Sequence, residues 1–562
     1  MLFNKLGVMV DCSRNAVMTP DALKKFISII AKMGYNQVQL YTEDTYELNG
    51  EPYFGYLRGR YSKAELKELD DFSYNLGVEL VPNIQTLAHM NAFVRWRRDL
   101  VDTGDILLVG EEKVYDLIDR MFQTMRECFR TDSIHIGMDE AHMLGRGKYY
   151  DLHGPENRFD VLCNHLQKVC ALAEKYSYKP MMWCDMFYSL ASGNKPREEI
   201  DSVKKLIPEN VTLVYWDYYS TNRDRYNQMI KGYSQLSDKL AFAGGVSRWY
   251  GFAPHNGYSL KHIKASLSAC IDRGIKDVFL TMWGDDGGEC SSFAVLPALC
   301  YCACFAQGIT KISQVREKFA EWTGLRFDDF MLLDLPNNIE KSDSVICPSK
   351  YLLYGDCFMS LFQNLEAAET AKTYATYTRK LRNAARRNGE YAYLFETMAS
   401  LCHVLELKQD ICTRSRQAYA NRELLDGVIS DYKKMIKRTE IFYRAFRNQW
   451  YGENKPHGFD IQDSRLGGLL QRMRSCMERL EDFRDGKIAS IPELEEPILP
   501  LSEKHFQHRY WCVTTSTNVI EKDTSFRACN SRRGNPFFCS AKHCVACGDR
   551  DADCHGCFAP SQ

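Results

Sequence analysis

Short apolar, β-prone runs alternate with amphipathic stretches between residue 7 and about residue 283. Eight such runs can be counted, and the distance from each run to the next accommodates a strand, a crossover helix and two connections. They begin at Gly7, Gln37, Val78, Ser133, Met181, Thr212, Leu240 and Asp277. Eight βα units in series predict an α/β fold of the (β/α)8 TIM barrel type. A doubly wound sheet is the alternative, but no G-x-G-x-x-G follows the first run, so the barrel is favoured.

Two of the intervening stretches carry helix boundary signals that are independent of hydrophobicity. Thr19 is a suitable N-cap with Pro20 at the first helical position, and Gly34 ends the pattern. Ser62 and Glu65 have the spacing of a capping box. The sequence therefore predicts helices after the first and second strands.

The β signal disappears at about Cys347, and long amphipathic stretches such as 367–387 and 424–446 follow. An irregular segment at 450–459 interrupts this helical pattern; it either borders the cleft or packs beneath the barrel, and we expect packing. We predict four parts: a barrel over 1–325, a helical domain over 326–488, a linker rich in proline and acidic residues over 489–505, and a cysteine-rich tail over 506–562.

Charge and hydropathy exclude several classes of protein. Lysine and arginine total 72 against 73 aspartates and glutamates, so no global positive charge is available for nucleic acid or an anionic membrane. The longest nearly apolar run, 293–306, is too short to span a bilayer and contains Pro297. Charged residues appear by Asp11, before a signal peptide could be complete. We therefore expect a cytoplasmic protein without nucleic-acid or membrane partners, for which a homodimer is one possible assembly.

The cysteines fall into two groups. In the first 500 residues many lie within apolar patterns, as at 299–305, which is typical of small buried side chains in a reducing compartment. In the tail, Cys544 with Cys547 and Cys554 with Cys557 form two C-x2-C pairs. These pairs are candidate zinc ligands, with an unstructured or disulfide-forming terminus as the alternative. No other cofactor is expected.

Polar and aromatic side chains gather where the predicted strands end, which is where barrel enzymes place their active sites. They are Asp11 and Arg14; Tyr41, Glu43 and Asp44; Gln85 and His89; Asp139 and Glu140; Trp183 and Asp185; Trp216, Asp217 and Tyr218; Trp249 and Tyr250; and Trp283, Asp285 and Asp286. Each of the last four strands thus contributes a tryptophan. Indole rings beside carboxylates suit a sugar, whose C–H faces stack on aromatic rings and whose hydroxyls need fixed hydrogen-bond partners.

The segment 135–140, HIGMDE, places two adjacent carboxyls at one strand end. If the strand stays regular, Asp139 shares a face with His135 and points into the barrel mouth, and Glu140 reaches the site only where the strand becomes loop. Neighbouring residues are poorly placed to flank one sugar from opposite faces, as the usual two-carboxylate mechanisms require. One carboxyl therefore has another task, which fits a substrate whose own 2-acetamido oxygen is the nucleophile.

The same segment resembles the His-x-Gly-x-Asp-Glu motif of glycoside hydrolase family 20, the β-N-acetylhexosaminidases. The segments GVMVDCSRN from Gly7, YTED from Tyr41, QTLAHM from Gln85 and MWGD from Met282 are similar to the branch of that family that contains hexosaminidase D and compact bacterial intracellular hexosaminidases. The resemblance implies exo-hydrolysis of terminal β-linked GlcNAc or GalNAc with retention, through an oxazolinium intermediate. A glycan or glycoconjugate would then be the substrate.

The resemblance also implies roles for individual residues. Glu140 would be the general acid/base, and Asp139 would orient the acetamido group. The walls of the sugar subsite would come from the tryptophans Trp183, Trp216 and Trp283, with Trp249 nearby at the neighbouring strand end. Tyr218 is the first choice, and Tyr250 the second, for the hydrogen bond to the acetamido oxygen, and Asp285 would contact hydroxyls.

One position departs from the family pattern. Many relatives have an arginine just before the glycine of the first strand, where this chain has Leu6. Arg14, His89 and Glu43 are the candidates to replace it in binding hydroxyls.

Two other interpretations stay open. A metal-dependent barrel hydrolase could use His89, His135 and His142 as ligands, although no H-x-H or H-E-x-x-H motif accompanies them. A non-catalytic protein that binds N-acetyl sugars is the third possibility, and a turnover assay separates it from the enzymes.

Overall fold

The computed structural model of the chain describes residues 1–187, 204–339, 345–361 and 368–499. Eight strands within them, labelled β1 to β8 in chain order, are Lys5–Asp11, Gln37–Tyr41, Glu79–Asn83, Ser133–His135, Lys179–Trp183, Thr212–Trp216, Leu240–Gly245 and Asp277–Met282. All are parallel to their neighbours and close into a barrel, with β8 paired to β1. The predicted (β/α)8 fold is confirmed.

Pairing around the barrel is uneven. β1 and β8 run side by side from Lys5 opposite Asp277 to Val10 opposite Met282. β3 and β4 share one register pair, Asn83 opposite His135, whereas all three residues of β4 pair with β5. The chain beyond β4 therefore leaves the ladder before it reaches the Asp-Glu pair of the HIGMDE segment.

Helices connect the strands and continue beyond the barrel. Around the barrel, α-helices cover Pro20–Met33, Lys63–Asn75, Asn91–Val94, Glu112–Cys128, Lys148–His153, Arg158–Lys175, Arg223–Tyr233, Asn256–Asp272, Leu296–Ala306, Ile312–Thr323 and Phe327–Phe330. The helices after residue 345 are Pro348–Tyr354, Ala368–Ala385, Ala392–Lys408, Ile411–Ala420, Leu425–Glu453, Phe459–Arg484 and Pro492–Glu495. The predicted helical region is confirmed.

The predicted helix boundaries have their physical cause in the observed caps. The Thr19 hydroxyl accepts the Ala22 N–H, and Gly34 ends the same helix in the left-handed conformation (φ 98°). At the next helix, Ser62 and Glu65 form the reciprocal capping box.

Two apolar clusters organise the molecule. One fills the layer between strands and helices and continues into the helical region. The other occupies the barrel axis and contains Tyr41, Trp183, Tyr218, Trp249 and Trp283. Since these five side chains come from the ends of different strands, the inner cluster forms the floor of the barrel mouth.

The irregular segment predicted at 450–459 is shorter than expected, because its first residues are helical. Contrary to our expectation, it does not pack beneath the barrel. The helix Leu425–Glu453 continues through Trp450, because that indole packs in the core and donates to the Lys455 carbonyl (3.1 Å). The Thr19 N–H then donates to the Glu453 carbonyl, and the Lys455 N–H to the Val17 carbonyl. The segment therefore packs on the loop after β1, at the carboxyl end of the barrel.

Other expectations have mixed outcomes. A short antiparallel hairpin, Val101–Thr103 with Ile106–Leu107, was not predicted.

The fifteen cysteines in the described residues are buried and free, as expected for the first 500 residues. Across the described parts of the chain, none of the helices combines the length and apolar character needed to cross a bilayer. The linker beyond residue 499 and the tail, with its zinc candidates Cys544, Cys547, Cys554 and Cys557, lie outside the described residues.

Candidate active site

The two adjacent carboxyls sit at the carboxyl end of β4, on a turn that departs from strand geometry. β4 ends at His135, and Gly137, Met138 and Glu140 all have positive φ angles between 52° and 72°. The assumption of a regular strand is therefore wrong beyond His135. The expectation that Glu140 enters the site where strand becomes loop is met, because its left-handed backbone turns the chain there.

Gln85 of the loop after β3 fixes this turn. Its amide oxygen accepts the Met138 N–H at 3.2 Å, and a Cβ on Gly137 would lie 2.1 Å from that oxygen. Its amide nitrogen donates to Asp139 Oδ1 at 2.7 Å and to the Tyr41 hydroxyl at 2.9 Å. A single buried side chain thus holds both the backbone of the turn and the first carboxylate.

Asp139 is buried and ionised. Besides Gln85, it meets His89, whose Nε2 lies 3.1 Å from Asp139 Oδ2. Burial alone would raise the pKa of Asp139, but the charge of His89 and the hydrogen bonds from His89 and Gln85 outweigh burial and lower it. His89 therefore partners the carboxyl pair, which makes it a less suitable hydroxyl ligand than its sequence position indicated.

Glu140 has the opposite electrostatic balance. Its carboxyl lies 3.8 Å from His89 Nε2, and its backbone N–H donates to Asp185 Oδ2 at 3.0 Å. Burial raises the pKa of Glu140 to about 7, the negative charges of Asp139, Asp185 and Asp285 add to the rise, and His89 opposes it. Near neutral pH, Glu140 can therefore give up or accept a proton.

Asp185, at the end of β5, is a third carboxyl of this site. Its Oδ1 accepts the Trp216 indole N–H at 3.3 Å, while its Oδ2 accepts the Glu140 N–H. Burial and the adjacent charge of Asp139 raise its pKa. Asp185 therefore links the acid residue to the aromatic wall.

Arg14 reaches the site from the loop after β1. Its guanidinium lies 3.3 Å from Asp11 Oδ2 and 3.7 Å from Glu43 Oε1. It also stands over the rings of Tyr41 (5.1 Å) and Trp283 (4.9 Å). Leu6, in contrast, is fully buried in the outer core of the barrel. A cation is thus present in the mouth of the barrel, although it comes from the loop after β1 and not from the position of Leu6 within that strand.

The aromatic residues divide into floor and wall. Trp183 and Trp249 are at most 2% exposed and belong to the inner cluster, with Trp183 packed on the His135 ring at 4.4 Å. Trp216 is half-buried and stacks on Tyr218 with ring centroids 5.2 Å apart. Trp283 approaches Trp183 at 6.2 Å. The four tryptophans therefore lie at one end of the barrel, and Trp183 and Trp249 are the most deeply buried of them.

Asp285 and Tyr250 complete the predicted set. Both are half-buried, Asp285 lies close enough to Arg14 and Glu140 to affect their pKa values, and Tyr250 packs 5.9 Å from Trp249. The structure brings all eleven predicted catalytic and substrate-binding residues to the carboxyl end of the barrel. The strand-end pattern identifies Gln85, Asp185, Tyr41 and Asp11 as members of this rim but does not predict which side chains they contact.

The histidines behave as scaffold. Burial lowers the pKa of His135 to about 3, and its Nδ1 accepts the Gly137 N–H at 3.1 Å. Burial and the nearby Arg158 lower the pKa of His142. In the part of the chain that the structure describes, no group of three or more His, Cys, Asp or Glu side chains is arranged to hold a metal ion. The metal-dependent alternative therefore lacks a ligand set among these residues.

A closed parallel barrel with a buried carboxyl pair and an aromatic-lined mouth is typical of glycoside hydrolases. The family 20 glycosyl hydrolase catalytic domain model matches residues 3–239, and the glycoside hydrolase 20C C-terminal domain model matches residues 328–512. The chain belongs to glycoside hydrolase family 20.

Its relatives include hexosaminidase D of Bos taurus, 23% identical over 289 residues that make up 46% of this chain and 79% of the bovine protein. Hexosaminidase D of Homo sapiens is 23% identical over 282 residues, or 46% of this chain, and the match spans little more than half, 56%, of the human protein. A solved structure of an exo β-N-acetylglucosaminidase from Vibrio harveyi has a TM-score of 0.43 and 13% identity, and it covers 57% of this chain and 58% of that one.

Proposed function

We propose that the protein is an exo-acting β-N-acetylhexosaminidase that removes terminal non-reducing β-linked GlcNAc or GalNAc with retention. The observation that supports this proposal is the opposite displacement of two neighbouring pKa values. Asp139 is held ionised by His89 and Gln85, and Glu140 is held protonated up to about pH 7 by burial and negative neighbours. Adjacent carboxyls in opposite protonation states suit an acid and a charge stabiliser acting on one sugar.

The proposed reaction has two steps. In the first, Glu140 donates its proton to the glycosidic oxygen while the acetamido oxygen of the substrate attacks C1 and the C1–O bond to the leaving group breaks. Asp139 accepts the acetamide N–H and stabilises the positive charge of the oxazolinium ion. In the second, Glu140 takes a proton from water, the resulting oxygen bonds to C1, and the C1–O bond of the oxazolinium ring breaks. Two displacements at C1 return the original configuration.

Surrounding residues would hold the sugar. Tyr218, or Tyr250 as second choice, would donate its hydroxyl proton to the acetamido oxygen. Arg14, Glu43 and Asp285 would bind hydroxyls, since their polar groups meet at the mouth of the barrel. The walls and floor of the pocket would come from Trp183, Trp216, Trp249 and Trp283.

The test replaces the acid without changing its shape. Glu140→Gln should lower kcat for a 4-nitrophenyl N-acetyl-β-glucosaminide by about a thousandfold, with an unchanged circular dichroism spectrum. Glu174→Gln, which alters an exposed glutamate on the helix Arg158–Lys175, is the matched control and should keep full activity. In the parent enzyme, kcat/KM should fall above about pH 7, since Glu140 must be protonated to act as the acid.

Two results would contradict the proposal. Undiminished turnover by Glu140→Gln would remove the acid from the mechanism. Equal hydrolysis of a 4-nitrophenyl β-glucoside, which has no acetamido group, would remove the assistance by the substrate.

A further inference from the structure

Three aromatic rings lie exposed beside the site. Tyr53, Tyr56 and Trp96 are 47%, 41% and 42% exposed. Tyr53 stacks on Trp96 with centroids 4.9 Å apart and an interplanar angle of 16°, and Tyr56 meets both rings edge-on at 5.7 and 6.0 Å. The Arg95 guanidinium stands 5.1 Å from the centre of the Trp96 ring. Contiguous exposed aromatic surface of this kind marks an interaction site in a soluble protein.

The platform, defined as Tyr53, Tyr56 and Trp96, is built on two loops of the carboxyl end. One loop follows β2 and begins with residues that include Glu43, and the other follows β3 and carries His89. Arg58 pairs with Asp44 of the same loop at 2.8 Å and also donates to the Ser13 carbonyl, which lies on the loop after β1. Asp44 and Ser13 are the immediate neighbours of Glu43 and Arg14, so the loop that carries Tyr53 and Tyr56 is tied to the mouth of the site.

The support beneath the platform is rigid. Phe54 is buried between Tyr46 and Phe93, each 4.8 Å away, which joins the two loops. Glu51 accepts hydrogen bonds from Arg97 and, at 2.7 Å, from Arg120. Gly55 turns the chain with φ 63°, where a Cβ would lie 2.3 Å from the Asp44 carbonyl oxygen. Since these contacts hold the two loops together, a ligand would lose less free energy in fixing the rings than it would on an unsupported loop.

Leu57, on the loop after β2, has a strained backbone conformation. Leu57 is 68% exposed and has a φ of 61°. A bulky side chain in the left-handed region is unfavourable, and its exposure gives the folded protein no compensating burial. The loop therefore presents apolar surface at the expense of local stability.

We propose that this platform binds saccharide rings on the reducing-end side of the scissile bond, an inference that rests on the proposed function. An exo-acting enzyme encloses the terminal sugar, so the rest of the glycan must leave through the mouth of the barrel. Pyranose rings offer C–H faces to the aromatic rings, and Arg95 supplies donors for their hydroxyls. A glycan that leaves the site over the loops after β2 and β3 crosses these three side chains.

The test compares a long and a short substrate. Trp96→Ala and Tyr53→Ala should each raise KM about tenfold for a β-1,4-linked tetrasaccharide of N-acetylglucosamine. They should leave kcat for that substrate, and both constants for methyl N-acetyl-β-glucosaminide, unchanged. Tyr74→Ala is the matched control, because Tyr74 is 62% exposed at the end of the helix Lys63–Asn75, next to the amino end of β3. Equal changes for both substrates, or no change for either, would overturn the proposal.

A binding measurement separates this proposal from the catalytic one. In the Glu140→Gln protein, calorimetry should show about tenfold weaker tetrasaccharide binding when Trp96 is also replaced by alanine. If that difference appears while the parent enzyme turns over no N-acetylhexosaminide, the platform stands and the proposed activity fails. If Trp96→Ala instead converts a dimer to a monomer in sedimentation and leaves saccharide binding unchanged, the platform is a contact between copies and the proposal is wrong.

Discussion

Two clusters of buried charge meet at the loop after β8, which gives Asp285 to one and Glu289 to the other, and they are built in opposite ways. At the active site, Glu140 lies near the carboxyls of Asp139, Asp185 and Asp285, with His89 as the opposing charge. At the contact with the helical region, Glu289 lies 2.8 Å from Lys350 Nζ and 2.9 Å from Arg465. In the first cluster, several carboxyls surround Glu140. In the second cluster, two cations neutralise the charge of Glu289.

The loop 283–289 connects the two clusters, because it carries Asp285 at one end and Glu289 at the other. Lys350 Nζ also donates to the Asp286 carbonyl at 3.3 Å, and Arg465 donates to the same oxygen at 2.7 Å. The cluster of carboxyls with raised pKa values therefore adjoins a tightly paired cluster. The helical region thereby holds the loop against which the site is assembled. Replacing charges in the two clusters should therefore change stability with opposite signs.

The largest expected effect on stability is at the paired cluster. Lys350→Met removes a cation that is 1% exposed and leaves the negative charge of Glu289 with less compensation. We expect the free energy of unfolding to fall by about 3–5 kcal/mol, measured by denaturant titration.

The control for this variant is a surface pair. Lys372→Met removes the exposed ion pair with Glu369 and should leave the unfolding midpoint unchanged. An equally small effect of Lys350→Met would show that the paired cluster contributes no more than a surface ion pair.

A smaller effect, of opposite sign, is expected at the site. Burial raises the pKa of Glu140 from 4.5 to about 7 in the native state. As the pH rises, this carboxyl therefore ionises in the unfolded chain before it ionises in the native protein. The native state consequently loses stability between pH 4.5 and about pH 7. Glu140→Gln removes this loss and should stabilise the protein by up to about 3 kcal/mol above pH 7. Below about pH 4.5 the stabilisation should vanish, because the carboxyl is protonated in both states.

Thermal unfolding at pH 4.5 and pH 8 measures this difference. Glu174→Gln should give the same difference from the parent at both pH values. A Glu140→Gln protein that is less stable than the parent at pH 8 would contradict the assignment of the site as a destabilised cluster.

The smallest expected effect is a displacement of the pH–rate profile. The positive charge of His89 lowers the pKa of Glu140, and the negative charge of Asp185 raises it. The alkaline limb of kcat/KM should therefore move to higher pH in His89→Gln and to lower pH in Asp185→Asn. Limbs that move in the same direction would show that these side chains act on Glu140 by other means than their charge.

The fold could be predicted from the sequence because its signals are local. Each strand is an apolar run of a few residues, and the caps at Thr19 and Ser62 lie within three residues of the groups they satisfy. The end of β4 could not be predicted in the same way. Its backbone turns after His135 because Gln85, fifty residues earlier, accepts the Met138 N–H. Such a contact has no trace in the local pattern of polar and apolar residues.

The candidate site could be predicted as a set of residues but not as a network. Strand ends identify Asp139, Glu140 and the four tryptophans, since parallel strands bring their carboxyl ends together. Strand ends do not predict that His89 contacts both carboxyls. The position of His89 depends on the conformation of the loop after β3, in which His89 has a φ of 59°. The hairpin around residue 104 was missed for a related reason, since its two strands are only three and two residues long.

One hydrogen atom has a large consequence at the turn after β4. Gly137 has no Cβ, and even the smallest replacement, a methyl group, would collide with the Gln85 amide. Gln85 would then have to swing aside, releasing Asp139, Tyr41 and the Met138 amide together. A homologue that lost this glycine would therefore retain Asp139 and Glu140 in its sequence but lose the hydrogen bonds that position them.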